Sequence, residues 1–132
     1  MPQPITPHVL NEQDIHTKAS EEQKHELATD LRTVANGIGK ILQKASPYKG
    51  RAILFGSRAR GDAHQESDWD VLILLDKDRI TSADIDEISY PIREFGWQID
   101  EMINPIIFTT KEWNAKSFTP FYKNVMKEGV TL

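Results

Sequence analysis

The sequence predicts an α+β (mixed α/β) domain, a mixed β-sheet flanked by helices, and three observations predict it. Residues 20–45 carry apolar side chains at helical spacing. Two short apolar runs, at 51–55 and 68–76, have the length and composition of strands. The remaining elements alternate helix and strand before ending in two short helices, so the order reads helix, strand, strand, helix, strand, helix, helix.

Each element has its own signals. Residues 1–19 are polar and contain three of the seven prolines, which predicts a flexible arm ahead of one domain at 20–132. Ser20 can cap the first helix, Glu21 and Glu22 suit its positive end, and Gln23 completes a capping box. Leu27, Leu31, Val34, Ile38, Ile41 and Leu42 form its apolar face, and Pro47 stops it. Gly37 and Gly39 weaken it locally.

Arg51-Ala52-Ile53-Leu54-Phe55 reads as a buried strand ended by Gly56. Residues 57–67 read as turn with one short helical turn. In the strand Asp68–Asp76, Trp69, Val71, Ile73 and Leu75 share one face, and Asp70, Leu72 and Leu74 the other. A helix over 82–95, capped by Thr81 or Ser82, places Ile85, Ile88, Ile92 and Phe95 on one side, with Pro91 disturbing its second half. A third strand is expected from Trp97 to Phe108, interrupted at Asn104-Pro105. Thr109 with Glu112 forms a second capping box, and Thr119-Pro120 opens the last helix, which Gly129 closes.

Composition narrows the function classes. The net charge is −4 and the pI about 5.5, which argues against a broad nucleic-acid surface. There is no cysteine, hence no disulfide framework or thiolate metal site. No apolar run is long enough for a membrane helix, and the N-terminus lacks the pattern of a signal peptide, so a cytoplasmic setting is the default expectation. His8, His16, His25 and His64 lack metal-ligand spacing and read as surface residues.

The chemistry-bearing segment is Leu54-Phe55-Gly56-Ser57-Arg58-Ala59-Arg60-Gly61, followed by Ser67-Asp68-Trp69-Asp70-Val71. Residues two apart on a strand face the same way, so Asp68 and Asp70 form a pair of like charges that a hard divalent cation would neutralise. Two such ions can hold the attacking and leaving oxygens of an in-line displacement. Gly56 allows close backbone approach to a phosphate, Ser57 adds a hydroxyl donor, and Arg58 and Arg60 can neutralise phosphate charge. Asp100 is the expected third carboxylate, able to assist deprotonation of an acceptor, with Glu101 as its competitor. Taken singly these residues are a turn, a strand end and surface charges. Gly-Ser, ten residues, then Asp-x-Asp is the informative unit. Trp69 points away from its flanking aspartates and reads as core; Trp113, Phe118, Phe121 and Tyr122 read as packing or as a partner surface.

This pattern resembles the DNA polymerase β-like nucleotidyltransferase superfamily. The string around Gly56, Ser57, Asp68 and Asp70 is similar to its minimal nucleotidyltransferase (MNT) branch, over roughly residues 20–130. The resemblance implies a mixed sheet with flanking helices, an NTP donor (most often ATP) and two Mg²⁺ ions, with Mn²⁺ as a substitute. It further implies a helical HEPN-domain partner in a toxin–antitoxin pair, with AMP transferred to a tyrosine hydroxyl of that partner. Trp69 departs from the aliphatic or small residue expected between the aspartates. A non-catalytic antitoxin that occludes its partner is the alternative reading. A sugar-nucleotide transferase would explain the aspartates but not Gly56-Ser57. The oligomeric state and the acceptor are left open by the residues themselves.

Overall fold

The computed structural model describes residues 8–9, 21–45, 50–64 and 66–132. The elements are β1 (His8–Val9), α1 (Glu21–Ala45), β2 (Gly50–Phe55), α2 (Ser57–Arg60), β3 (Trp69–Leu75), α3 (Ser82–Asp84), a π-helical stretch (Ile85–Ser89), α4 (Tyr90–Gln98), β4 (Ile103–Thr109), α5 (Thr110–Ala115), α6 (Pro120–Glu128) and β5 (Val130–Thr131). They build a five-stranded mixed sheet in the order β1-β5-β2-β3-β4, as the α+β expectation required. The two-residue strands β1 and β5 are additions to the predicted order. Apart from β1, the predicted arm at 1–19 and the Ser20 cap lie outside the described residues.

Strand β3 is the centre of the molecule. It pairs antiparallel with β2, Phe55 opposite Asp70, and parallel with β4, Asp70 opposite Asn104. Its alternation feeds two cores. Trp69, Val71, Ile73 and Leu75 pack with Leu31, Val34 and Ile38 of α1, and with Ile88 and Ile92 of the π stretch and α4. On the opposite face, Leu72 and Leu74 pack with Ile53 and with Trp113, Tyr122, Val125 and Met126 of α5 and α6. Fully burying each large apolar side chain contributes roughly 1.5–3 kcal/mol. The sheet therefore sits between two helical layers, and the parallel β3–β4 pair is joined by the helical crossover that parallel strands need.

Local rules account for the helix boundaries. Thr81 and Asp84 form a reciprocal capping box, as do Thr109 and Glu112, and Thr119 accepts from the Tyr122 amide. Pro91 disturbs its helix without breaking it. It lacks an N–H and its ring would clash with the carbonyl four residues back, and the five-residue π stretch immediately before α4 widens the backbone there. Gly37, expected only to weaken α1, serves close packing: a Cβ there would fall 2.1 Å from the Phe95 ring, where α1 crosses α4.

The third strand is the main correction. Trp97 and Gln98 end α4, and strand pairing begins only at Ile103. Between them the chain turns back through Ile99 to Glu101. Gly96 accepts from the Glu101 amide at 2.8 Å, and Asp100 takes a left-handed conformation with φ 57°. Aspartate tolerates that region better than most residues, so it can turn the chain out of a helix. No break occurs at Asn104-Pro105. Among the described residues β4 pairs only with β3, and an edge strand accommodates a residue without an N–H.

Candidate active site

The N-terminal end of β3 and the C-terminal end of β2 come together because they are antiparallel neighbours. Phe55 opposes Asp70, so Gly56, one residue on, lies against the Asp70 side chain. The contact is close: a Cβ on Gly56 would sit 2.6 Å from Asp70 Oδ2. Gly56 also adopts φ 76°, which favours glycine, and caps the single turn of α2 that begins at Ser57. Two independent constraints therefore require glycine at this position.

Asp68 and Asp70 converge. Asn104 Nδ2 donates to Asp68 Oδ2 at 3.2 Å and to Asp70 Oδ1 at 3.4 Å, so one amide spans both carboxylates. Asp70 is partly buried and Asp68 exposed. The side chains at 68 and 70 thus share a side of the sheet, next to the turn at 56–57, as the sequence spacing predicts.

Arg58 is placed differently from the phosphate-facing role expected for it. It is buried, and its Nε and Nη2 donate to the Ser67 carbonyl at 3.1 and 2.9 Å. Its guanidinium lies 4.4 Å from the centre of the Trp69 ring, and Nη2 is 3.7 Å from Glu101. Arg58 therefore clamps the backbone immediately before Asp68. Arg60 is exposed and pairs with Asp62 at 3.4 Å and with Glu128 at 3.5 Å.

Trp69 is completely buried, and its Nε1 donates to Glu101 at 3.0 Å. The tryptophan between the aspartates is thus core, and its polar atom is satisfied. Glu101, the competitor for third ligand, is engaged by Trp69 and Arg58. Asp100 lies in the left-handed turn after α4, exposed, beside a surface groove it lines with Glu66, Ser67, Trp97, Glu101 and Met102. The position that faces the two aspartates from the third strand belongs to Asn104, which sequence reading missed. The available signal was Asn104 opening the apolar run Ile106-Ile107-Phe108. The register that brings it to Asp70 is a property of the pairing.

Two convergent carboxylates beside a glycine that leaves no room for a side chain suit one hard divalent cation and an adjoining phosphate. No third carboxylate is grouped with them among the described residues. Among the described residues, no group of three or more acidic, histidine or cysteine side chains is arranged to hold a metal.

Comparison with known proteins bears on the family and the fold. Residues 36–131 match the family described as the nucleotidyltransferase domain. Two proteins of Methanocaldococcus jannaschii, provisionally named as protein adenylyltransferases, are similar in sequence. One is 39% identical over 90 residues, covering 66% of this chain and 84% of that protein. The other is 45% identical over 58 residues, covering 44% and 58%. A crystal structure from Sulfolobus solfataricus, provisionally described as a nucleotidyltransferase, superposes with a TM-score of 0.58 at 20% identity, over 87% of this chain and 89% of that one. This last likeness is one of fold.

Proposed function

We propose, from the premise that this chain belongs to the nucleotidyltransferase domain family, that it transfers AMP from ATP to a hydroxyl of a partner protein. The observation that carries the reading is the convergence of Asp68 and Asp70 beside Gly56. The provisional names of the two archaeal relatives support a protein acceptor. The HEPN-domain partner, the toxin–antitoxin setting and a cytoplasmic location belong to the same proposal and rest on resemblance to the minimal branch. Among the described residues, no helix is long and apolar enough to cross a membrane.

The residues divide the work as follows. Asp68 and Asp70 hold a divalent ion, Mg²⁺ or Mn²⁺. When bound, the ion neutralises charge on the phosphoryl oxygens as a Lewis acid. Gly56 lets the triphosphate approach the backbone, and Ser57 donates a hydrogen bond to it. Arg60 supplies positive charge on the same turn, for the departing pyrophosphate. Arg58 acts at one remove, holding Ser67 so that Asp68 is presented correctly. Asp68, the more exposed carboxylate, accepts the hydrogen bond of the incoming hydroxyl. Positioning and charge neutralisation are what such a displacement chiefly requires.

Incubation with α-labelled ATP, Mg²⁺ and the product of the neighbouring gene tests the reading. Label should move to that protein, and Asp68→Ala/Asp70→Ala should abolish the transfer. Equal label with wild type and the double variant, or none with either, would overturn it. A second reading, a non-catalytic antitoxin that occludes its partner, is favoured by the amide at Asn104 and by Phe118, which is 78% exposed on the loop before α6. It predicts that the double variant still neutralises the partner.

A further inference from the structure

The residue that faces the paired aspartates from β4 is neutral, and this has a consequence for the number of cations. Asn104 is opposite Asp70 in the parallel β3–β4 register. Strand alternation agrees with its orientation. Ile103 and Ile107 pack into the core beneath α1 and α4, whereas Phe108 stacks against Trp113 on the other side of the sheet. Asn104, an even number of residues from Phe108, therefore faces the carboxylate side. Its Nδ2 reaches both carboxylates. The nearby acids that might complete a second cation site are placed elsewhere: Glu101 is bonded to Trp69, and Asp100 lies in the left-handed turn.

We infer that Asn104 replaces a third carboxylate, so that the site holds one divalent cation tightly with its nucleotide and a second only weakly. This rests on the nucleotidyl-transfer reading above. The amide does two things that a carboxylate would not. Without a cation it bridges Asp68 and Asp70, offsetting their mutual repulsion and holding them in register. With a cation, the amide can turn its oxygen inward, which offers a hard but uncharged ligand and gives up the two bonds to the aspartates. Asn104 is thus a positioning residue for the first ion and the determinant of the second.

The test is Mn²⁺ titration of the full chain, read as free Mn²⁺ by electron paramagnetic resonance, with an ATP analogue methylene-bridged between the α and β phosphates. Nucleotide-only titrations are subtracted. Wild type should saturate at one tight ion per chain, lost in Asp68→Ala/Asp70→Ala. Asn104→Asp should bind a second ion at least about tenfold more tightly than wild type does. Its melting temperature should fall without metal and recover with Mn²⁺ by more than wild type gains. Asn104→Ala, which adds no charge, should keep a single ion but bind it several-fold more weakly, so the inference stays testable if Asn104→Asp folds poorly. Two ions of similar affinity in wild type, no tightening in Asn104→Asp, or undiminished affinity in Asn104→Ala would each overturn this inference alone. Absence of any aspartate-dependent Mn²⁺ binding in wild type would overturn the nucleotidyl-transfer reading and this inference with it.

Discussion

The two faces of β3 do different work with the same seven residues. One face, Trp69-Val71-Ile73-Leu75, is entirely buried under α1, α4 and the π stretch. The other begins with Asp70 and continues as Leu72 and Leu74 under α5 and α6. The first face stabilises, and Trp69 at its start also stacks under Arg58, the residue that clamps Ser67. The second is apolar along most of its length, and Asp70, with Asp68 just before the strand, lies at its less buried end. Strand alternation therefore keeps the carboxylates off the wholly apolar face, and they gain precision from a strand anchored on both sides.

Paired substitutions test that separation. Asp70→Ala should reduce AMP transfer by more than about a hundredfold while shifting stability by under ~1 kcal/mol, read by labelled-ATP transfer and urea unfolding. On the opposite face, Ile73→Ala should do the reverse. It should cost roughly 2–5 kcal/mol through the cavity it leaves, with the folded fraction retaining transfer per molecule. Loss of both properties together in either variant would show that the faces are not independent.

Gly56→Ala probes the seam between them. Its backbone conformation, φ 76° with ψ −159°, costs an alanine about 1–3 kcal/mol, and the new methyl would meet Asp70 Oδ2. Activity should fall further than stability, and nucleotide affinity measured with the nonhydrolysable analogue should fall with it. Trp69→Phe keeps most of the buried ring but removes the bond to Glu101 and weakens the stack under Arg58. About 1–2 kcal/mol should be lost, with a modest fall in transfer as Ser67 and Asp68 loosen.

The smallest effect lies far from the site, at the helical crossover. Burial pushes the Asp84 carboxyl up. Hydrogen bonds from Lys77 and Thr81 outweigh it and hold its pKa below the ordinary value near 3.8. A depressed carboxylate pKa stabilises the fold above the unfolded-state value and loses that stabilisation as pH falls through the folded-state value. Asp84→Asn should therefore cost about 1 kcal/mol at neutral pH, and the gap from wild type should narrow below about pH 4 in chemical unfolding. Transfer at neutral pH should be unchanged.

Much of this was legible in residue order. The long helix, the buried strand ending at Gly56, a helix cap at Thr81 or Ser82, the capping box at Thr109 and the alternation of β3 all follow from short-range rules. The juxtaposition of Gly56 with Asp68 and Asp70 is expected from the motif, but a connection of thirteen residues is long enough for either pairing, and the antiparallel one is a finding of the structure. The segment 97–104 misled. Ile99, Glu101 and Ile103 alternate as a strand would, but Asp100 adopts a left-handed turn that lets α4 run on to Gln98. Arg58 misled for a related reason: a motif arginine looks free until the Ser67 carbonyl and the Trp69 ring are seen to hold it.

The sequence by itself determined the Asp-x-Asp pair, its glycine neighbour and most of the helical and strand content, since these depend on spacing and on contacts within or between adjacent elements. Only the tertiary structure decided which residue faces the two aspartates from β4, and that it is Asn104 rather than Asp100. The register of a parallel pair is set after a crossover of more than twenty residues, by how α4 seats against the sheet and where its last turn ends. A slip of one residue would have turned a different side chain toward the aspartates, and nothing local in the chain forbids that slip.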